Sequence, residues 1–193
     1  PDAAYIDGQT ALKSVEDLKQ FKDDGKPFFL AVGFVKPHLP FNAPKKYWDL
    51  YDPNSIALPE NATFPKSAPQ RANHKWGELR SYIDIPKTGS IPDAMAKKLI
   101  HGYYASVSYV DAQIGVLIKG LTELGLRENT VIVLVGDHGW SLSEHGLWAK
   151  HSNFEVALQV PLIISDSRLP NAARTNSIAE LVDIYPTLCE LTA

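Results

Sequence analysis

The spacing of apolar residues predicts two long amphipathic helices. In residues 9–24 apolar side chains recur every three positions with charged residues between them, which predicts a helix that ends at Gly25. A longer stretch keeps three- and four-residue spacing from Asp93 to about Leu124, with Gly125 as the stop. We expect the apolar side of the longer helix to pack on a sheet.

Three short apolar runs predict buried strands at residues 27–34, 131–135 and 160–165. A further helix is predicted over residues 179–191, bent or interrupted by Pro186. Strands that alternate with helices are typical of an α/β domain in which helices cover a largely parallel sheet. The length of 193 residues suits one domain over residues 1–193.

A long irregular region spans about residues 35–92 and is rich in proline, asparagine and aromatic residues. A loop of this length inside a compact domain is usually functional. Aromatic rings such as Trp76, beside polar side chains such as His74, would suit a bound sugar. Packing of a long surface excursion explains the same composition equally well.

Polar residues follow two of the predicted strands directly. Asp137 and His138 come after the run that stops at Gly136, and Lys36 and His38 follow residues 27–34. Ligands of α/β sheets collect beyond the carboxyl ends of strands, and a carboxylate beside an imidazole can share a cation. The alternatives are that Asp137 caps a turn and that the other three are ordinary loop residues.

The Lys-Pro-His-Leu-Pro sequence at residues 36–40 excludes a helix, because it has two prolines within four residues. We expect prolines at these positions to hold the backbone extended and to fix the direction of the side chains between them. Lys36 and His38 would then form a cationic pair at the strand end.

Charge, hydropathy and cysteine content narrow the class of protein further. A formal charge of −3 gives no reason to propose nucleic acid or an anionic membrane as a partner, and no apolar run reaches the roughly 20 residues of a membrane helix. Cys189 is the one cysteine, so an internal disulfide is impossible. Its apolar helical neighbours predict a buried thiol.

Residues 136–155, GDHGWSLSEHGLWAKHSNFE, closely resemble a signature of the sulfatases in the branch of the iduronate-2-sulfatases. Further blocks that resemble this family occur in the family's order at residues 31–41, 102–115, 160–164 and 180–191. One Asp-His-Gly sequence is weak support, whereas five ordered blocks are strong support. The resemblance implies an alkaline-phosphatase-like α/β sandwich.

The resemblance also implies roles for individual residues. Asp137 and His138 match metal ligands, and Lys150 matches a lysine that contacts the sulfate. His38 matches a histidine that contacts the sulfate ester and is the best candidate to protonate the leaving oxygen; Lys36 is a further substrate-binding candidate. The family usually holds calcium, whereas ligand chemistry alone would suit manganese or zinc equally well.

The family's nucleophile is a formylglycine made from a Cys-x-Pro-x-Arg motif, which this sequence lacks; Cys189 is followed by Glu-Leu-Thr. The resemblance covers only the middle of a sulfatase. We therefore expect an incomplete catalytic domain that is inactive alone and needs the family's N- and C-terminal parts as partners. The implied substrate is a sulfated sugar of the glycosaminoglycan type, and the implied location is periplasmic, secreted or lysosomal.

Two alternative functions remain open at this stage. A phosphodiesterase or phosphonate monoester hydrolase of the same superfamily would share the metal pair and the lysine. A noncatalytic sulfate- or carbohydrate-binding module would have kept half of the site.

Overall fold

The computed structural model describes residues 1–73, 77–169 and 173–193. The predicted roles of His74 and Trp76 therefore lie outside the described residues. The helices and strands are α1 (Ile6–Asp24), α2 (Lys45–Trp48), α3 (Asp93–Glu123), β1 (Ile132–Val135), α4 (Glu155–Leu158), β2 (Leu162–Ser165) and α5 (Ile184–Thr192). Short 3-10 turns lie at Asp2–Ala4, Pro53–Ser55, Gln70–Ala72, Leu79–Ser81, Arg127–Asn129, Glu144–Gly146 and Leu181–Asp183.

The two long helices, α1 and α3, confirm the prediction from apolar spacing. Gly25 ends α1 with a φ of 63°, and its N–H donates to the carbonyls of Phe21 and Lys22. Gly125 has a φ of 69° just after α3. A left-handed backbone at these positions favours glycine, so both helix ends are encoded locally.

The sheet of the described residues has two antiparallel strands. Ile132 of β1 lies opposite Ser165 of β2, and Val135 lies opposite Leu162. The strands were predicted, but the parallel pairing is wrong for this pair. A parallel return needs a crossover, usually through a helix, whereas the connection from β1 to β2 contains only the 3-10 turn Glu144–Gly146 and the four-residue α4.

The strand predicted at residues 27–34 is not formed, although the chain fits the α/β class. These residues alternate between exposed and half-buried positions, and Phe29 is 81% exposed. A strand requires a hydrogen-bonded neighbour, and no described strand pairs with this segment.

The largest apolar cluster joins the start of α3 to the long region 35–92 and to the loop after β1. It includes Leu39, Phe41, Ile56, Leu79, Ile85, Ala96, Ile100, Trp140 and Trp148. Gly102 allows the close approach of this region to α3: a Cβ at Gly102 would lie 2.8 Å from both the Phe41 carbonyl oxygen and the Trp48 ring. The irregular region is therefore packed on the core.

The last helix differs from its prediction in two respects, the effect of Pro186 and the exposure of Cys189. Pro186 is the third residue of α5, where a backbone N–H has no intrahelical partner, so the proline is accommodated. Cys189 is exposed, which makes the predicted buried thiol wrong. Tyr185 of the same helix is 78% exposed, because α5 packs mainly on the preceding turn Leu181–Asp183.

Within the described parts of the chain, no helix combines the length and apolar character needed to cross a membrane.

Candidate active site

The Lys-Pro-His loop (residues 36–40) is fastened to the first turn of α1 by Asp7. Its carboxylate is 1% exposed and accepts the backbone N–H of Val35 at 2.8 Å and of Lys36 at 2.9 Å. The N-terminal end of a helix also favours a negative charge. The start of the loop therefore has a fixed position relative to α1.

The loop is a turn rather than the predicted extended segment. The His38 N–H donates to the Val35 carbonyl at 2.9 Å, and both X-Pro bonds, Lys36–Pro37 and Leu39–Pro40, are cis. The prolines exclude a helix as expected, but hydrogen bonds among the loop residues close the chain on itself. This turn places the His38 side chain opposite the loop that follows β1.

Lys36 closes the same turn with its ammonium. Its Nζ donates to the Pro40 carbonyl at 2.6 Å and to the His38 carbonyl at 3.2 Å, and the side chain is largely buried. Burial lowers the pKa of the Lys36 ammonium below its ordinary value. These contacts favour a role in shaping the loop; a direct contact between Lys36 and a substrate stays a prediction.

His38 and Lys150 are in contact although they lie 112 positions apart in the sequence. Lys150 Nζ lies 2.9 Å from His38 Nε2, and His38 Nδ1 lies 2.9 Å from the Leu39 carbonyl oxygen. A carbonyl only accepts, so Nδ1 carries the hydrogen and a neutral His38 has its lone pair on Nε2. Lys150 is 17% exposed and lies 5.7 Å from the centre of the Trp140 ring. The two predicted catalytic residues thus form one cationic unit.

Glu78 joins this unit and was missed from the sequence. Its Oε1 lies 3.0 Å from His38 Nε2, and its Oε2 lies 3.2 Å from Lys150 Nζ. The carboxylate is 22% exposed. A single glutamate in an irregular region has no periodicity or motif, so only the expectation that region 35–92 shapes the pocket pointed towards it.

Asp137 and His138 lie on the loop that begins one residue after β1. Asp137 is 89% exposed, and its Oδ1 accepts the His138 N–H at 3.0 Å, which is a local capping contact like the alternative considered for it. His138 Nδ1 lies 2.7 Å from the Gly139 carbonyl oxygen and carries the hydrogen. Its Nε2, 3.8 Å from Asp137 Oδ2, therefore has the lone pair of the neutral ring.

His38 and the pair Asp137 and His138 all line a cleft of about 260 Å³. Residues 34–38 line one part of the cleft and residues 137–140 another, and Tyr103 of α3 lines it as well. Burial raises the pKa of the Tyr103 phenol above its ordinary value, and the charge of Glu144 adds to the shift. The Asp-His pair and His38 thus border one cleft.

The profile of the sulfatase family matches residues 5–193. The chain belongs to the sulfatase family. Iduronate 2-sulfatase of Mus musculus is 36% identical to this sulfatase chain over 99% of the chain's length and 40% of its own. The chain therefore spans about two fifths of that relative. The family predicted from the ordered sequence blocks is confirmed.

Solved structures support the fold of this sulfatase chain. A protein in complex with D-glucosamine-2-N,6-O-disulfate aligns with a TM-score of 0.68 and 21% identity, over 85% of this chain and 43% of that one. A phosphonate monoester hydrolase from Silicibacter pomeroyi aligns with a TM-score of 0.61 and 25% identity, over 78% of this chain and 32% of that one. The expected alkaline-phosphatase-like α/β fold is confirmed.

The sulfatase family generally uses a divalent metal, so the donors of this chain can be tested against one. Within the described ranges, no group of three or more His, Cys, Asp or Glu residues converges on a point. Asp137 and His138 nevertheless suit a metal as two members of a larger ligand set. The exposed carboxylate offers oxygen, and the Nδ1–H bond to Gly139 leaves Nε2 available as a nitrogen donor.

Proposed function

We propose that this chain is the central part of a sulfatase catalytic domain that hydrolyses sulfate esters of sugars. The observation that supports it best is the cleft that is lined by the Asp-His pair and by His38, which is bonded to Lys150. A sulfate ester in the cleft would lie beside the metal that Asp137 and His138 are proposed to hold. It would also lie beside the proton donors His38 and Lys150. This arrangement suits charge stabilisation of a tetrahedral anion.

His38 and Lys150 supply the chemistry of the leaving side. The Lys150 ammonium donates hydrogen bonds to nonbridging sulfate oxygens as charge develops on them. His38 holds a proton at Nε2 for the oxygen of the departing alcohol, and its Nδ1–H bond to Leu39 keeps the ring in the orientation that this transfer needs.

The metal would be held in part by Asp137 and His138 of this chain. We propose calcium from the family resemblance, with manganese or zinc as alternatives that an Asp-His donor pair also suits. When bound, the ion supplies positive charge that stabilises the sulfate oxygens. Asp137 and His138 would hold the ion at the loop after β1.

The nucleophile is proposed to come from elsewhere in the whole protein. This sequence has no Cys-x-Pro-x-Arg motif, and its one cysteine, Cys189, is followed by Glu-Leu-Thr. We therefore propose a formylglycine on a partner segment, without which the chain has no turnover. The proposed substrate is a sulfated sugar of the glycosaminoglycan type, and the proposed location is periplasmic, secreted or lysosomal.

A second candidate is a phosphonate monoester hydrolase, which the likeness to the Silicibacter pomeroyi enzyme favours. Iduronate 2-sulfatase is similar over almost the whole chain at 36% identity, which favours the sulfate ester. A noncatalytic sulfate- or carbohydrate-binding module is a third candidate. Turnover of a sulfated sugar, a phosphonate monoester and a phosphate diester by the full-length protein discriminates among the three.

The test uses full-length protein with Lys150→Ala and Asp137→Ala, beside Lys119→Ala as an exposed lysine control on α3. Lys150→Ala should lower kcat on the sulfate ester about 10²- to 10³-fold and leave the metal content unchanged. Asp137→Ala should lower the metal bound per protein in elemental analysis. Sulfate ester turnover by Lys150→Ala at the control's rate would exclude Lys150 from the site, and a normal metal content in Asp137→Ala would refute the ligand assignment.

A further inference from the structure

Glu78 is the carboxylate that touches both predicted catalytic side chains. It lies 3.0 Å from His38 Nε2 and 3.2 Å from Lys150 Nζ through different oxygens, and it is mostly shielded from solvent. Its neighbour Leu79 is 2% exposed and belongs to the large apolar cluster. The carboxylate is therefore carried by a backbone segment that the core anchors.

We propose that Glu78 is a positioning residue that holds the Lys150 ammonium against His38, an inference that rests on the proposed sulfatase function. A lysine side chain has four methylene groups and loses about 2 kcal/mol of rotamer entropy when it is fixed. While His38 Nε2 is unprotonated, Glu78 and His38 together accept two of the three N–H groups of Lys150. The third N–H then has a restricted orientation towards an incoming sulfate oxygen.

The proton positions of this cluster allow Glu78 to serve both states of His38. When Nε2 is unprotonated it accepts from Lys150, and Glu78 accepts a second N–H of the same ammonium. When Nε2 carries a proton and no substrate occupies the cleft, it donates to Glu78 Oε1. One carboxylate therefore keeps both groups in place before and after His38 gives up its proton.

The other charged or titratable groups near His38 hold different positions. Lys36 binds the His38 carbonyl from within the loop, whereas Asp137, His138 and Tyr103 line the cleft beside it. Among the described residues, Glu78 is the carboxylate recorded in ion-pair contact with both His38 and Lys150. The positioning role is therefore assigned to Glu78.

The kinetic test compares Glu78→Gln with Glu60→Gln, an exposed glutamate of the same irregular region, in the full-length protein with a sulfated sugar. Glu78→Gln should lower kcat about 10- to 100-fold, as misplacement of a catalytic group does, with a smaller change in KM. In a Lys150→Ala background the same substitution should lower kcat by a clearly smaller factor than in the wild type, because the part of the effect that acts through that lysine is already lost. Equal losses in both backgrounds, or a lower KM with unchanged kcat, would overturn the proposal.

A second measurement is independent of turnover. Labelling with acetic anhydride, quantified by mass spectrometry, should modify Lys150 several-fold faster in Glu78→Gln than in the wild type, with Lys119 as the internal reference. An unchanged Lys150 rate would overturn the positioning role whatever the kinetics. A wild-type protein without sulfatase activity but with the labelling difference would instead refute the proposed function and keep the Glu78 contact.

Discussion

Replacement of Asp7 tests how firmly α1 holds the Lys-Pro-His loop. The buried carboxylate accepts two backbone N–H groups, from Val35 and Lys36, with one oxygen each. Asp7→Asn keeps the shape of the side chain but has only one carbonyl oxygen. Its amide nitrogen would face the other N–H, donor against donor.

The expected cost follows from these two bonds. A hydrogen bond to a charged acceptor contributes about 1.5–3 kcal/mol, and a neutral one about 1 kcal/mol. Asp7→Asn loses one charged bond and weakens the other, while the desolvation penalty of a buried carboxylate is relieved. We expect the free energy of unfolding to fall by about 2–4 kcal/mol.

Urea unfolding measures the global effect, and hydrogen exchange of the peptide that contains Val35 and Lys36 measures the local one. Asp17→Asn is the matched control on α1, because its exposed ion pair with Lys13 contributes little to stability. Exchange at residues 35–36 should accelerate only in Asp7→Asn. If both variants lose the same stability and exchange alike, Asp7 does not fasten the loop.

Two further predictions concern α3. Gly102→Ala should lower the free energy of unfolding by about 1–3 kcal/mol, because its Cβ would meet the Phe41 carbonyl at 2.8 Å. Gly115→Ala, whose Cβ would have nothing within 4 Å, should raise the free energy of unfolding by up to about 1 kcal/mol. Midpoints of urea unfolding that change in the same direction for both variants would contradict this. The raised pKa of Tyr103 means that the folded state binds the phenol proton more tightly than the unfolded state, so this contribution is present below pH 10.0 and is lost as pH rises through the folded pKa. Wild-type stability should therefore fall relative to Tyr103→Phe as the pH rises above 10.0, and a constant difference would refute the shift.

The elements that the sequence predicted correctly are those whose determinants are local. Apolar spacing and a left-handed glycine define α1 and α3 within their own residues. The segment 27–34 has an equally apolar composition, but a strand also needs a partner, and a pattern within one segment does not contain that information. Cys189 was assigned to the core for the same reason: helical spacing identifies the apolar side of α5, not what covers it.

The part of the candidate site that lies beyond predicted strand ends could be predicted from the sequence. The rule that ligands collect beyond strand ends, together with the family resemblance, pointed to Asp137, His138 and His38, and they border one cleft. Lys36 was expected in a substrate contact, yet its ammonium binds two loop carbonyls. Glu78 could not be predicted because its importance comes from two partners distant in sequence.

The 112 positions from His38 to Lys150 in the sequence also bear on the order in which the protein is made. At about 5–20 residues per second, a ribosome needs about 6–22 s to add them. During that interval the Lys-Pro-His loop can already be tied to Asp7, which precedes it by only 28 and 29 positions. Synthesis therefore delivers the His38 side of the candidate site first, and Lys150 can join it only later.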